Sequence, residues 1–122
     1  MKIEGQKLHL NSVAEATQAI DKLGASNSKF MATRAIHLNI GLKEVQASHA
    51  RSLKQVYNEV GAEAAISHDA YMGHFDGTTD MILMGTVYQH REVCRVLAGY
   101  LEFHDFVETI SAIVENAPET QS

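Results

Sequence analysis

The sequence predicts an α+β fold in which an antiparallel sheet of four strands carries two helices on one face. Three observations lead to this prediction. Segments in which apolar and polar residues alternate predict strands. Segments in which apolar residues recur every three or four positions predict helices. The two kinds of segment follow one another in a split β-α-β order along most of the chain.

A strand and a helix are predicted as an extension at residues 1–30. The short apolar segment from Leu8 to Leu10 predicts a strand. Ser12 and Glu15 have the spacing of a capping box and predict the start of a helix. The small, polar residues 25–29 predict a loop that separates this extension from the main domain.

The first half of the main domain, which spans residues 31–115, predicts a strand and a long helix. Within residues 31–40, Ile36, Leu38 and Ile40 alternate with Ala35, His37 and Asn39, as expected for a half-buried strand, and Gly41 predicts its end. Apolar residues then recur at helical spacing over residues 43–60. Gly61 follows, where a glycine commonly ends a helix.

The second half of the main domain predicts a strand, a connection, a second strand, a helix and a last strand. These segments are residues 63–69, 71–79, 80–87, 88–103 and 106–114, and Thr86 with Gln89 predicts a cap for the helix at 88–103. The strand at 80–87 is the most apolar, so we expect it in the middle of the sheet. The polar residues 116–122 contain Pro118, the only proline, and predict a flexible tail.

From Ala35 onward the predicted order is β-α-β-β-α-β, the order of the ferredoxin-like split βαβ sandwich. A weak internal repeat supports it, because a shift of 45 residues places Leu38 on Leu83. Such a sheet has one face without helices. Apolar residues of the segment 80–87 must lie on that face in either orientation. We therefore expect a homo-oligomer that buries it.

Charge and composition restrict the class of partner. The chain has 122 residues and a net charge of −5. Contacts to phosphate require a positive surface, so we expect neither a direct nucleic-acid partner nor a membrane partner. The single cysteine, Cys94, cannot form an intramolecular disulfide, and Met1 to Gln6 contain no apolar signal region. Both observations favour a cytoplasmic protein.

A cluster of histidine and aspartate residues is the sharpest candidate for a site. His68, Asp69, His74 and Asp76 lie within nine residues. Two imidazoles and two carboxylates can coordinate a divalent transition metal such as nickel, zinc or cobalt. We predict His68 and His74 as metal ligands, and Asp69 and Asp76 as further ligand contacts. The alternative is a solvated loop in which Asp76 and Gly77 make a turn.

Other polar residues give weaker signals. His37, on the first main strand, is a further ligand-binding candidate because it can face a small pocket or a subunit interface. His90 and Cys94 have the i, i+4 spacing that would place a nucleophilic pair on one helix face. A packed side chain is the alternative for Cys94. We predict no catalytic residues, because the sequence contains no GxSxG, HExxH, P-loop or GxGxxG motif.

The stretch from Gly77 to Val114 resembles the effector domain of Lrp/AsnC regulators. In that domain a glycine and an aspartate precede an apolar strand, a helix follows, and a last strand begins near a Val-Glu pair. Gly77, Asp80, Val107 and Glu108 occupy the corresponding places here. The resemblance implies a regulatory domain that binds a small ligand and acts through a protein partner.

Two further families share part of the pattern. The carboxyl-terminal domain of nickel-responsive ribbon-helix-helix repressors is similar in element order, and its histidines precede the equivalent strand as His68 and His74 do here. No ribbon-helix-helix or helix-turn-helix segment precedes the domain in this sequence. The whole chain also resembles circularly permuted microcompartment shell proteins, with Gly85-Thr86-Val87 at a similar step. That resemblance implies a structural assembly, and a small dimeric α+β barrel enzyme is the third alternative.

The metal hypothesis makes a direct prediction. Replacing a ligand weakens metal binding, so His74→Ala should lower the affinity for nickel or zinc by about tenfold or more. Native mass spectrometry of protein without a histidine tag, before and after treatment with a chelator, measures the metal content and the oligomeric state. An unchanged affinity in His74→Ala would remove this residue from the site.

Overall fold

The computed structural model describes residues 2–73 and 76–116. Its elements in chain order are α1 (Val13–Asp21), α2 (Ser28–Ala35), β1 (His37–Gln46), α3 (Ala47–Glu59), β2 (Glu63–Ala65), α4 (His68–Met72), β3 (Thr78–Thr86), α5 (Val87–Leu97), a 3₁₀ turn (Leu101–Phe103) and α6 (His104–Glu115). The chain divides into two compact units after Ile36. In the described residues no helix combines the length and apolar character of a membrane span.

The amino-terminal unit is built on α1 and α2, which pack against each other. The predicted capping box is present only in part. The Ser12 hydroxyl accepts a hydrogen bond from the Glu15 backbone N–H, but the Glu15 carboxylate accepts from the Asn11 N–H and not from the Ser12 N–H that a capping box requires. The predicted strand from Leu8 to Leu10 is wrong, because these residues pair with no strand. A strand of three residues without a sheet partner has no hydrogen bonds to stabilise it.

The second helix of this unit replaces the start of a predicted strand. Residues 31–35 continue α2 and therefore do not belong to β1, which begins only at His37. The segment contains two alanines, Ala32 and Ala35, which have high helix propensity. Ala32 and Thr33 are both buried, as expected for neighbouring positions on the inner side of a helix.

The carboxyl-terminal unit is built on a three-stranded antiparallel sheet in the order β1-β3-β2. The prediction that the apolar strand lies in the middle is confirmed, since Leu83 of β3 pairs with Ile40 of β1 and with Ala64 of β2. Gly41 does not end β1, contrary to the prediction. The strand continues to Gln46, because glycine at this position pairs normally with β3.

An irregularity between Leu42 and Val45 accommodates the twist of the long strand β1. Glu44 lies in the left-handed region with φ of 54°, which is unusual for a residue with a side chain. Its backbone N–H donates to the Asp80 carboxylate at 3.0 Å. The carboxylate therefore replaces a backbone partner that the bulge removes from the strand ladder.

Two helices cover one face of the sheet, as predicted. The buried face carries Leu38, Ile40 and Leu83, against which the apolar stripes of α3 and α5 pack. Leu53 and Leu97 are the largest aliphatic side chains that these helices contribute, and both are fully buried. The other face carries exposed residues of the described chain, among them Ile82, which is 51% exposed.

The predicted last strand, residues 106–114, is wrong: these residues belong to helix α6. The β-branched composition predicts a strand, but the apolar positions also have helical spacing. In α6 that spacing buries Ile110 and Val114 on one side, while Glu108 and Thr109 remain exposed. The described residues therefore form a sheet of three strands, and a four-stranded sheet is not present in them.

Two other boundaries differ from the prediction, and one cap agrees with it. The strand predicted at 63–69 is only β2, because Ser67 caps the short helix α4 through a bond from the Ala70 N–H. Helix α5 has the predicted capping box of Thr86 and Gln89. It ends at Leu97, earlier than predicted, and a 3₁₀ turn follows.

A buried histidine links the two covering helices to the sheet. The His90 Nε2 atom lies 2.7 Å from the Leu38 carbonyl oxygen, and its Nδ1 atom lies 2.8 Å from the Tyr57 hydroxyl. Since a carbonyl oxygen can only accept, Nε2 carries the proton and Nδ1 accepts from the hydroxyl. Both rings are fully buried. Burial lowers the pKa of His90, with a smaller contribution from His37, and burial raises the pKa of Tyr57.

This arrangement predicts that acid destabilises the fold through His90. The unfolded chain binds a proton on this ring near the ordinary pKa of 6.5, whereas the folded chain binds it only at lower pH. The contribution to stability is therefore complete above that value and is lost as the pH falls below it towards the folded pKa. The free energy of unfolding from urea titrations at about pH 7.5 and about pH 5 measures the loss.

The variant His90→Gln should show a smaller decrease of this free energy, since its amide keeps one donor and one acceptor but does not titrate. The matched control is His9→Gln, because His9 is exposed and lies outside the helices and strands. Equal decreases in the wild type and His90→Gln would contradict the assignment.

Candidate functional site

A groove lies between helix α3 and the segment that runs from β2 through α4. It consists of two adjoining cavities of about 400 and 510 Å³, which share Lys54, Asn58 and Tyr71. The remaining lining residues are Arg51, Gln55, Glu59, Glu63, Ala65, Ile66 and His68. We call this surface the α3–α4 groove. Its volume is in the range of sites for small organic ligands.

The amphipathic pattern of α3 creates the floor of the groove. Ala47, Ala50, Leu53 and Tyr57 recur at helical spacing and are buried. The side of the helix next to this stripe carries polar residues, among them Arg51 and the other α3 residues that line the groove. Because the inner stripe is fixed in the core, the helix holds these polar side chains at defined positions.

The wall of the groove is the short helix α4. Only one of its five residues, Ala70, is buried, and Gly73 ends the helix with φ of 83°. The Arg51 Nη1 atom donates to the Ala70 carbonyl oxygen at 2.9 Å, and the Ser67 N–H donates to the Thr79 hydroxyl at 3.0 Å. Thus α4 is attached to α3 and to β3 by individual polar contacts more than by apolar burial.

Lys54 is the centre of the polar network in the groove. Its Nζ atom donates to Glu63 Oε1 and to the Ala64 carbonyl oxygen, each at 2.7 Å. The same ammonium group lies 5.8 Å from the centroid of the Tyr71 ring, within the range of a cation–π contact. One side chain of α3 therefore contacts both β2 and α4.

The charges of the groove are unequally buried. The Lys54 side chain is 20% exposed, whereas that of Glu63 is 56% exposed. The hydrogen bond from Lys54, and then that from the Ala64 N–H, lowers the pKa of the Glu63 carboxyl group. Arg51 is half-buried, and its hydrogen bond in the described residues goes to a neutral carbonyl oxygen. The groove therefore contains a partly buried cation without a described carboxylate partner.

The predicted site residues are only partly brought together. His68 lines the groove, and Asp69 follows it as an exposed residue of α4. Asp76 is exposed and does not line either cavity, while His74 lies outside the described residues. His37 is exposed at the start of β1, on the opposite edge strand of the sheet. The order of the strands thus separates His37 from His68.

No three histidine, cysteine, aspartate or glutamate side chains come together at a possible metal position in residues 2–73 and 76–116. This range includes His68, Asp69 and Asp76, but not His74. The metal site therefore stays a prediction, because one of its two predicted histidine ligands lies outside the range.

Cys94 does not form a nucleophilic pair with His90. Both ring nitrogens of His90 are engaged by Tyr57 and by the Leu38 carbonyl group. Cys94 is 9% exposed, and its sulfur lies 3.5 Å from the Ser111 hydroxyl. Burial raises the pKa of this thiol, which disfavours the reactive thiolate. Cys94 is therefore a packed side chain, the alternative given by the sequence.

The residues of the groove that the sequence analysis missed include Arg51, Lys54 and Tyr71. The available signal was the polar side of α3, where Arg51, Lys54 and Asn58 have helical spacing. That signal alone is also typical of an ordinary solvated helix face. The reversal of the chain at Gly61, where φ is 84°, is what brings Tyr71 to this face.

Comparison with known proteins identifies no relative. No family model, curated protein or solved structure matches the chain.

The network around Lys54 gives a prediction for Glu63. Replacing Lys54 by methionine removes the strongest hydrogen bond to the Glu63 carboxylate, so the pKa of Glu63 should rise towards its ordinary value. The bond from the Ala64 N–H remains, and the rise should therefore be incomplete. Titration of the side-chain carboxyl carbon by NMR measures this pKa. Lys43→Met, an exposed lysine of β1, is the control. An unchanged pKa in Lys54→Met would contradict the contact.

Proposed function

We propose that the chain is an oligomeric regulatory domain that binds a small organic ligand in the α3–α4 groove and acts through a protein partner. The observation that carries the proposal is the groove itself, in which Arg51, Lys54, Asn58 and Tyr71 converge from two elements. A cavity with aromatic surface and a few convergent polar groups is the usual form of a small-molecule site.

The arrangement of strands and helices is compatible with a ferredoxin-like unit. The strand order β1-β3-β2, with α3 between β1 and β2, corresponds to three strands and one crossover of the split βαβ pattern. Helix α6 packs on α5. We propose that it stands at the position in the chain where the split βαβ pattern has its fourth strand. This likeness, together with the resemblance of Gly77, Asp80 and β3 to Lrp/AsnC effector domains, favours a regulatory role. Val107 and Glu108, which the resemblance places on a last strand, lie in α6 and do not contribute to it.

The open face of the sheet supports self-association. Ile82 is 51% exposed, and its neighbours across the sheet, Gly41 and Ala65, are small and exposed. Met84 lies half-buried on the same face. A second copy of the chain would remove this apolar surface from water. An assembly of the microcompartment shell type is the alternative, and it would bury the same surface.

An organic ligand takes precedence over a metal in this proposal. The groove offers described side chains of several types to an organic molecule. A nickel or zinc ion would instead depend on His68 together with His74, and the part of the chain described contains no group of three possible ligands. Metal binding is therefore the second hypothesis for the ligand of this chain.

The proposal predicts that Tyr71 contributes to ligand binding and that another equally exposed tyrosine does not. A fragment library screened by amide NMR spectra should give ligands that shift the resonances of α3, β2 and α4. For these ligands Tyr71→Ala should lower the affinity by about tenfold, because the ring forms the aromatic wall of the groove.

Tyr100→Ala is a closely matched control, since Tyr71 is 58% exposed and Tyr100, which does not line the groove, is 57% exposed. Ligands that bind equally well to Tyr71→Ala, or that shift only resonances outside the groove, would contradict the proposal. A library without a single ligand for the wild type would also contradict it.

A further inference from the structure

We infer that the ligand of the α3–α4 groove is a small planar aromatic molecule with a single carboxylate group. This inference rests on the proposed function and specifies the chemistry of the ligand. It follows from three properties of the groove. These are the positive charge of Arg51, which has no described carboxylate partner, the negative charges of the glutamates at the rim, and the exposed aromatic ring of Tyr71.

The cation without a described carboxylate partner is Arg51. Its Nη1 atom donates to the neutral Ala70 carbonyl oxygen, and no salt bridge of Arg51 is found in residues 2–73 and 76–116. By contrast, the neighbouring cation Lys54 is paired with Glu63 at 2.7 Å. A half-buried guanidinium group favours an anion, and its planar donors match the two oxygens of a carboxylate.

The rim of the groove restricts the charge of that anion. Glu59 and Glu63 line the two cavities and are both exposed. Their negative charges offset those of Arg51 and Lys54, so the formal charge of these four residues is zero. A monoanion gains the contact with Arg51, whereas a dianion such as a phosphate monoester meets more repulsion from the two glutamates. The charge balance therefore favours a carboxylate over a phosphate.

The body of the ligand is indicated by Tyr71. Its side chain is among the exposed large hydrophobic residues, and the Lys54 ammonium group lies near its ring. Aromatic rings stack with their centroids about 4.5–7 Å apart, which lets a planar ligand lie against this ring while its carboxylate reaches the neighbouring helix. A cavity of about 400 Å³ accommodates a single ring with a carboxylate.

Four probe molecules test in turn whether the ligand needs a negative charge, a planar ring and a charge no larger than that of a carboxylate. Benzoate has the ring and one negative charge, benzamide has the ring without the charge, cyclohexanecarboxylate has the charge without the planar ring, and phenyl phosphate has the ring with a larger charge. Amide NMR titration of the whole chain with each probe measures affinity and location together. Benzoate should shift resonances of α3 and α4, and each other probe should bind about tenfold more weakly or worse.

Variants of Arg51 test the proposed contact. Arg51→Gln should weaken benzoate binding by about tenfold, and Arg51→Lys, which keeps the charge but not the planar fork, should weaken it less. Amide spectra of both variants show whether α4 retains its position. The control is Arg95→Gln, because Arg95 lies on α5, is bonded to Glu92 and does not line the groove. Its affinity for benzoate should equal that of the wild type.

The outcomes also distinguish this inference from the proposed function. Equal affinity for benzamide and benzoate, or unchanged benzoate binding in both Arg51 variants, would overturn the inference and leave the groove as a site for neutral ligands. Absence of groove shifts with all four probes would overturn it as well. In that case the fragment library and the comparison of Tyr71→Ala with Tyr100→Ala decide the proposed function independently.

Discussion

The hydrogen-bonded chain from Tyr57 through His90 to the Leu38 carbonyl group is the constraint on which the carboxyl-terminal unit depends. It joins α3, α5 and β1 in the buried interior, where an unpaired donor or acceptor would cost about 1–3 kcal/mol. A rotation of α3 about its axis would break the first bond, and a rotation of α5 would break both. Apolar packing tolerates several such rotations, whereas this pair of bonds selects one.

The orientation of α3 in turn determines the groove. Once Tyr57 is fixed towards the core, Arg51 and Lys54 are fixed beside the buried stripe of the helix, where they face β2 and α4. The floor of the groove is thus part of the rigid core. Its wall is not, because α4 buries one residue and is attached by the bond from Arg51 to Ala70. A ligand that engages Arg51 therefore contacts the residue that holds α4.

Local signals predicted the parts of the fold that depend on neighbouring residues. The caps at Ser12 and Thr86 require only residues three positions apart, and the central place of β3 follows from its apolar composition. The segment 106–114 could not be assigned in this way. Its β-branched residues favour a strand, but Ile110 and Val114 also lie one helical turn apart, and packing of α6 against α5 decides between the two. Such packing is a long-range property that one sequence does not reveal.

The site was predictable only where residue type alone gave the signal. His68 was named as a candidate because imidazole is a common ligand, and it lines the groove, while its role as a metal ligand stays a prediction. Arg51 and Tyr71 are 20 residues apart and each looks like an ordinary surface residue. Arg51 differs from an ordinary surface residue in its contacts within the fold. Lys54 is paired with Glu63, whereas the described contact of Arg51 is to a neutral carbonyl group. Because charge pairing depends on the folded arrangement, the chemistry of this groove follows from the fold more than from any motif.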